Sequence, residues 1–153
     1  MRWITDLITN PFLITSLSSW FIAQVIKVII HAVVHKKIIW ERLFGDGGMP
    51  SGHSATVSSL AVMTALVYGT GSFSFAVCLI FAIVVCHDAT GVRQQAGKHA
   101  ERINEIISIL ESDNLPETKL KELLGHTPLQ VVMGILIGTA NAFLMYYAVF
   151  QMT

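Results

Sequence analysis

Trp20-Phe21-Ile22-Ala23-Gln24-Val25-Ile26-Lys27-Val28-Ile29-Ile30-His31-Ala32-Val33-Val34 closes an apolar run that begins at Phe12 and decides the class of this chain. The whole run, residues 12–34, exceeds the about 20 residues an α-helix needs to cross bilayer hydrocarbon. Further apolar blocks follow at 55–68, 73–86 and 131–150, with Gly69-Thr70-Gly71-Ser72 as a short turn between the two middle ones. Those middle blocks are short for full spans, so their inner ends are expected below the headgroups or shielded by other parts of the protein. The fold expected is all-α: an integral membrane bundle of about four membrane helices.

Composition agrees with that class. The chain has 153 residues, of which 53% are hydrophobic and 13% charged, below the charge of an ordinary soluble domain. Its 10 basic and 10 acidic residues balance, which argues against a nucleic-acid partner. The length suits one membrane domain, 1–153. Cys78 and Cys86 lie in one apolar block and read as small buried hydrophobes, with no disulfide framework or zinc pattern. No metal or cofactor is expected. The N-terminus lacks a basic n-region and a small-residue cleavage site, so the first block is expected to stay in the mature protein.

The markedly polar region is an insert at 93–126. Ile103, Ile106, Ile107 and Leu110 mark one helical face over 100–110, Asp113-Asn114-Leu115-Pro116 breaks it, and 117–124 resumes as a short helix before Gly125. An amphipathic helical hairpin on the membrane surface or over the embedded helices is expected. Lys36, Lys37 and Arg42 follow the first block, and Arg93, Lys98, Arg102, Lys119 and Lys121 precede the fourth, whereas the opposite side offers Arg2. The positive-inside rule therefore puts both charged loops in the cytoplasm and both termini outside. Gly134-x-x-x-Gly138 in the last block has a spacing that permits close helix packing or dimer formation, or is incidental.

Against this apolar background the polar residues converge on one end of the bundle. Gly47-Gly48-Met49-Pro50-Ser51-Gly52-His53-Ser54 places a Gly-rich turn and a histidine at a helix start. There, unpaired N–H groups and the positive end of the helix dipole favour an anion. Gly52 admits close backbone approach, Ser51 can donate a hydroxyl, and His53 can deliver a proton near neutral pH. The bland alternative is that Pro50 and Ser51 start and cap the helix while His53 stands by. Lys27 lies in the same half of the bundle, sharing a face with Gln24 and His31. A lysine at mid-span costs about 2.5–3.5 kcal/mol on insertion scales, so it either meets an anion inside the bundle or snorkels to the headgroups. His31 and His35 read as packing or interfacial residues. Asp88 ends the third block and calls for an arginine or histidine partner. Arg93 offers a fork for two phosphate oxygens or an ion pair with Asp88. His126 follows Gly125 at the mouth of the last block.

Three segments together resemble a known family: 47–55, Asp88-Ala89-Thr90-Gly91-Val92-Arg93 with Ala96-Gly97, and Leu124-Gly125-His126-Thr127-Pro128. They are similar to the divergent branch of the type-2 phosphatidic acid phosphatase superfamily, which also includes vanadium-dependent haloperoxidases. The resemblance takes in nearly the whole chain, Gln24-x-x-Lys27 included. It implies a metal-independent phosphatase acting on a phosphomonoester or pyrophosphate of a phospholipid or isoprenoid. By it His53 is the general acid, Lys27, Ser51, Gly52 and Arg93 hold the phosphate, and His126 is the nucleophile. A bacterial cytoplasmic membrane, with the site facing the cytoplasm, is the expected location. The superfamily's larger bundle makes a homodimer a candidate assembly.

Two departures from the family pattern stand out. Val34-His35 occupy the place of the arginine and proline that follow the lysine in the usual first motif, with Arg42 or Lys98 as candidate replacements. In the third motif Arg93 and His99 keep the usual spacing, but Ile103 stands where an aspartate is expected. His126 is instead followed four positions later by Gln130, which can orient an imidazole without stabilising its charge, and Asp88 is a candidate for that carboxylate. His126 is preferred to His99, which sits in a polar helix beside Glu101 and Arg102. The rivals are a non-catalytic protein that binds or translocates lipid phosphate and a scaffold assembled through Gly134 and Gly138. All site residues are expected around one oxyanion pocket at the inner leaflet.

Overall fold

A computed structural model describes residues 2–36, 48–110, 120 and 125–150 of the chain. A short helix α1 (Arg2–Ile8) precedes α2 (Pro11–His35), α3 (Gly52–Tyr68), α4 (Phe73–Thr90), α5 (Val92–Leu110) and α6 (Pro128–Met145), and a π-helical turn follows at Tyr146–Phe150. No strand occurs among the described residues. The helix starts are written locally. Asn10 accepts from the N–H groups of Phe12 and Leu13, Ser72 from Phe75, and Thr127 from Gln130, each satisfying donors that a helix start leaves open. Pro11 and Pro128 occupy first-turn positions where a missing N–H does no harm.

Among the described residues three helical stretches are long and apolar enough to cross a membrane: Pro11–His35, Phe73–Ile109, which takes in α4 and most of α5, and Pro128–Phe150. The second expected block, α3, has 17 residues and falls short of that length. Its place in the bundle explains its composition. α3 packs against α2, α4 and α6, and nine of its 17 residues are buried, several of them serine or alanine. Bulky apolar side chains instead face outward, as with Leu17, Phe21, Ile80, Leu136 and Leu144. This inversion suits a bilayer, where apolar faces gain nothing by leaving lipid and helices associate through small residues and hydrogen bonds.

Gly134 and Gly138 are spent within the chain. A side-chain carbon at Gly134 would overlap the Ser51 carbonyl oxygen, and one at Gly138 would overlap the Ala55 carbonyl and the Ser58 hydroxyl. The paired progression 134 to 138 along 51 to 58 makes α6 parallel to α3 and in close backbone contact. On the other side of α6, the Asn141 amide is shared among the Thr15 carbonyl and the Ser18 and Ser19 hydroxyls at 2.8–3.2 Å. This cross-link ties α6 to α2. The polar insert differs from expectation at its start: its first helix begins at Val92, directly after a break at Gly91, and not near residue 100. Leu120 returns beside it, exchanging two backbone bonds with the Asn104 amide. The second arm expected at 117–124 otherwise lies outside the described residues, as do Gly47, Lys37, Arg42 and the break at 113–116.

Candidate functional site

The C-terminal ends of α2 and α4 and the N-terminal ends of α3 and α6 meet at one end of the bundle, because α2 and α4 run antiparallel to α3 and α6. Asp88 stands two residues before the end of α4, and Arg93 is the second residue of α5, just past the Gly91 break. That break lets the chain fold back far enough for Arg93 Nε to donate to Asp88 Oδ2 at 2.7 Å. Both side chains remain about half exposed, so the ion pair is a positioning contact and contributes little to stability. The bond uses Nε and leaves the two terminal nitrogens of the fork for a second anion. Asp88 thus has the arginine, one of its two expected partners, beside it.

Gly125 brings the last member into place. It has φ of 79°, in the left-handed region, and a side-chain carbon there would overlap Gln94 N and lie 2.6 Å from Arg93 C. Only glycine fits on both counts. The next residue, His126, donates its backbone N–H to the Ala89 carbonyl at 2.9 Å, which stitches the start of α6 to the end of α4. His126 is buried at 3% exposure. Its Nδ1 lies 3.2 Å from Gln130 Oε1, and that same oxygen accepts the Thr127 backbone N–H at 3.1 Å. Because a backbone N–H can only donate, the amide must point its oxygen at the ring. Nδ1 then carries the proton, and Nε2 carries the lone pair.

His53, Asp88, Arg93 and His126 line one cavity of about 250 Å³ together with Val84, Val85, Ala89 and Gly125. A guanidinium fork and two imidazoles, one with a defined tautomer, suit a small tetrahedral anion and proton transfer at it. Lys27 is buried at 4% exposure and packs against Gly48. It lines a second cavity of about 350 Å³ with Ile30, His31, Val34, His35, Gly48 and Met49. Ser51 is fully buried; its hydroxyl oxygen accepts from the Ser54 N–H and hydroxyl, and its N–H donates to the Gln130 carbonyl. Gly52 packs under Trp20, where a side-chain carbon would lie 3.2 Å from the indole. Both residues lie in the turn that starts α3.

His99 is exposed on α5 and away from both cavities. Nearby, Glu105 accepts a hydrogen bond from Arg102 at 2.7 Å. Gln130 orients the His126 ring as the sequence suggested, and Thr127-x-x-Gln130 is also a capping-box spacing. Two features escaped the sequence reading. Asn141 had a signal, as an amide in an apolar span that demands a partner. His31 and His35, whose rings lie 4.4 Å apart, had none, because histidines near a helix end are ordinary.

A family model described as the Divergent PAP2 family matches residues 8–141. The uncharacterized membrane protein YuiD of Bacillus subtilis (strain 168) is 41% identical over 154 residues, which cover 93% of this chain and 98% of that protein. No solved structure matches the chain.

Proposed function

Because the chain belongs to the Divergent PAP2 family and is an integral membrane protein, we propose that it is a phosphatase of membrane lipid phosphates, working through a histidine nucleophile. The observation that carries this reading is the shared cavity of His53, Asp88, Arg93 and His126. In the mechanism, Nε2 of His126 attacks phosphorus while Arg93 spreads its terminal N–H groups over the phosphoryl oxygens. The bond from phosphorus to the lipid oxygen breaks, and His53 gives that oxygen its proton. A phosphohistidine results, which divides the hydrolysis into two easier steps. Water then attacks the phosphohistidine, passing a proton to His53, and phosphate leaves with His126 restored. Arg93 stabilises the charge that builds on the equatorial oxygens, and Asp88 keeps its fork aimed. Lys27 contributes positive potential from behind the turn, and Ser51 and Gly52 hold the turn that presents His53.

The substrate class is a phosphomonoester or pyrophosphate of a phospholipid or isoprenoid. The cation-rich loops at 36–42 and 93–121 support a cavity that opens to the cytoplasm. The relative from Bacillus subtilis supports a bacterial cytoplasmic membrane as the setting. A homodimer is part of the proposal, with an interface other than the buried glycines of α6. The test is phosphate release from a panel of lipid phosphates by the purified protein in detergent. Turnover no higher than that of the His53→Ala and His126→Ala variants would overturn the enzyme reading.

One observation favours a second reading. The partner of His126 is an amide, Gln130, and an amide does not stabilise the imidazolium that acid–base chemistry needs. A protein that binds or translocates lipid phosphate without hydrolysing it needs no such charge. Labelled phosphate trapped on a histidine after an alkaline quench eliminates that alternative.

A further inference from the structure

The geometry points to an apolar groove along α4 as the seat of the substrate's hydrocarbon chain, an inference that rests on the lipid-phosphate reading above. The groove, about 490 Å³, is lined by Ala76, Val77, Ile80, Phe81 and Val84. Val84 is also a wall of the cavity that holds His53, Arg93 and His126. The two spaces therefore meet at one residue. Val77, Ile80, Phe81, Val84 and Asp88 recur at spacings of three and four, which is one stripe of a helix. The stripe is hydrocarbon-lined for two turns and ends at the carboxylate that holds Arg93. From Ala76 to Val84 it runs about 12 Å at 1.5 Å per residue.

Nothing in α4 competes for this face. The helix buries only Ala82 and Ala89, and Val77, Ile80, Phe81 and Val84 are each more than half exposed. A molecule with an anion at one end and a chain at the other fills both spaces at once, lying along the helix as a lipid lies in its leaflet. A water-soluble phosphate ester fills the cavity alone. Hydrocarbon gains no hydrophobic energy on moving from bilayer to groove. The groove therefore acts by alignment: it points the ester oxygen toward His53, so its effect falls on turnover of long-chain substrates.

Two measurements test this. First, a non-hydrolysable long-chain alkyl phosphonate with a mid-chain diazirine is photolysed with the full-length protein in phosphatidylcholine vesicles. Adducts are expected on residues 76–84 of α4, displaced by excess unlabelled phosphonate. Adducts spread evenly over the outward faces of α2, α4 and α6 would overturn the inference, as would a chain-to-chain product through α4 in place of a lipid adduct. Second, the ratio of long-chain to short-chain ester turnover is compared for Ile80→Trp and for Leu144→Trp on the outward face of α6. A fall of about tenfold is expected for Ile80→Trp, the scale of a small misalignment, with no change for Leu144→Trp. Equal ratios in both variants would overturn it. Adducts concentrated on α4 without hydrolysis of any ester would remove the phosphatase reading and leave the groove standing.

Discussion

The two cavities that flank the turn 48–53 make opposite use of similar residues. One draws His53, Asp88, Arg93 and His126 from four separate stretches of chain, and its imidazole and guanidinium are each held by a named partner. The other takes Lys27, His31 and His35 from successive turns of a single helix and closes them with Gly48 and Met49. Side chains at fixed spacing on one helix can attract an anion but cannot surround it. Groups brought from several elements can converge on one atom, which in-line displacement at phosphorus requires. The lesson is that a membrane-embedded lysine does not by itself mark the cavity where the other polar groups converge.

The strongest way to break that contrast is to remove the imidazoles. His126→Ala and His53→Ala are each expected to lower turnover by about 10²–10⁴-fold, with the protein still extracted as a folded bundle, measured by phosphate release and circular dichroism. Gly125→Ala comes next. The added carbon meets the Arg93–Gln94 backbone, so the start of α6 must move away from α5, and a loss of about 10²-fold is expected from misplacement of His126. A variant that kept full rate would show that His126 need not sit beside Arg93.

A third comparison sets the cavities directly against each other. Arg93→Ala should raise KM for lipid phosphates by about tenfold or more, because a hydrogen bond to a charged group contributes about 1.5–3 kcal/mol. Lys27→Met should change it by less, and a loss equal to that of Arg93→Ala would mean that the two spaces act as one. The smallest effect is the most diagnostic of His126. Gln130→Glu keeps an acceptor for both N–H groups and adds a negative charge, which favours the imidazolium. His126 must be neutral to attack, so the acid limb of the pH–rate profile should move to higher pH, while Gln130→Leu should also cost about 1 kcal/mol through the lost cap.

Much of the architecture was legible because the bilayer imposes it. Length and hydropathy locate α2, α4 and α6, and alternating direction puts the ends of α2 and α4 with the starts of α3 and α6. The exception is α3, whose serines and alanines make it look like a weak span. In fact it is the helix the others surround, and small polar side chains there allow close approach and local hydrogen bonds. The Gly134–Gly138 spacing was legible as a close contact, but its partner was not. Either another chain or another helix of the same chain satisfies a small-residue seam equally well, and here α3 does. For the site, Ser51 shows the same limit. A hydroxyl at a helix start serves a ligand or the helix itself, and the Ser51 oxygen accepts two bonds from Ser54 whichever way its own proton points.

What the residues alone determined is the class of the protein and the end of the bundle where its polar residues collect. Apolar length and the direction of successive helices follow from order along the chain, without knowledge of packing. What the tertiary structure alone decided is how the polar residues divide around the turn: His53, Asp88, Arg93 and His126 on one side, Lys27 with His31 and His35 on the other. That division depends on the rotation of each helix about its axis. The rotation is set by contacts between distant residues, above all Gly125 on Arg93–Gln94, Gly134 on Ser51 and Asn141 on Thr15, which no periodicity within one helix can express.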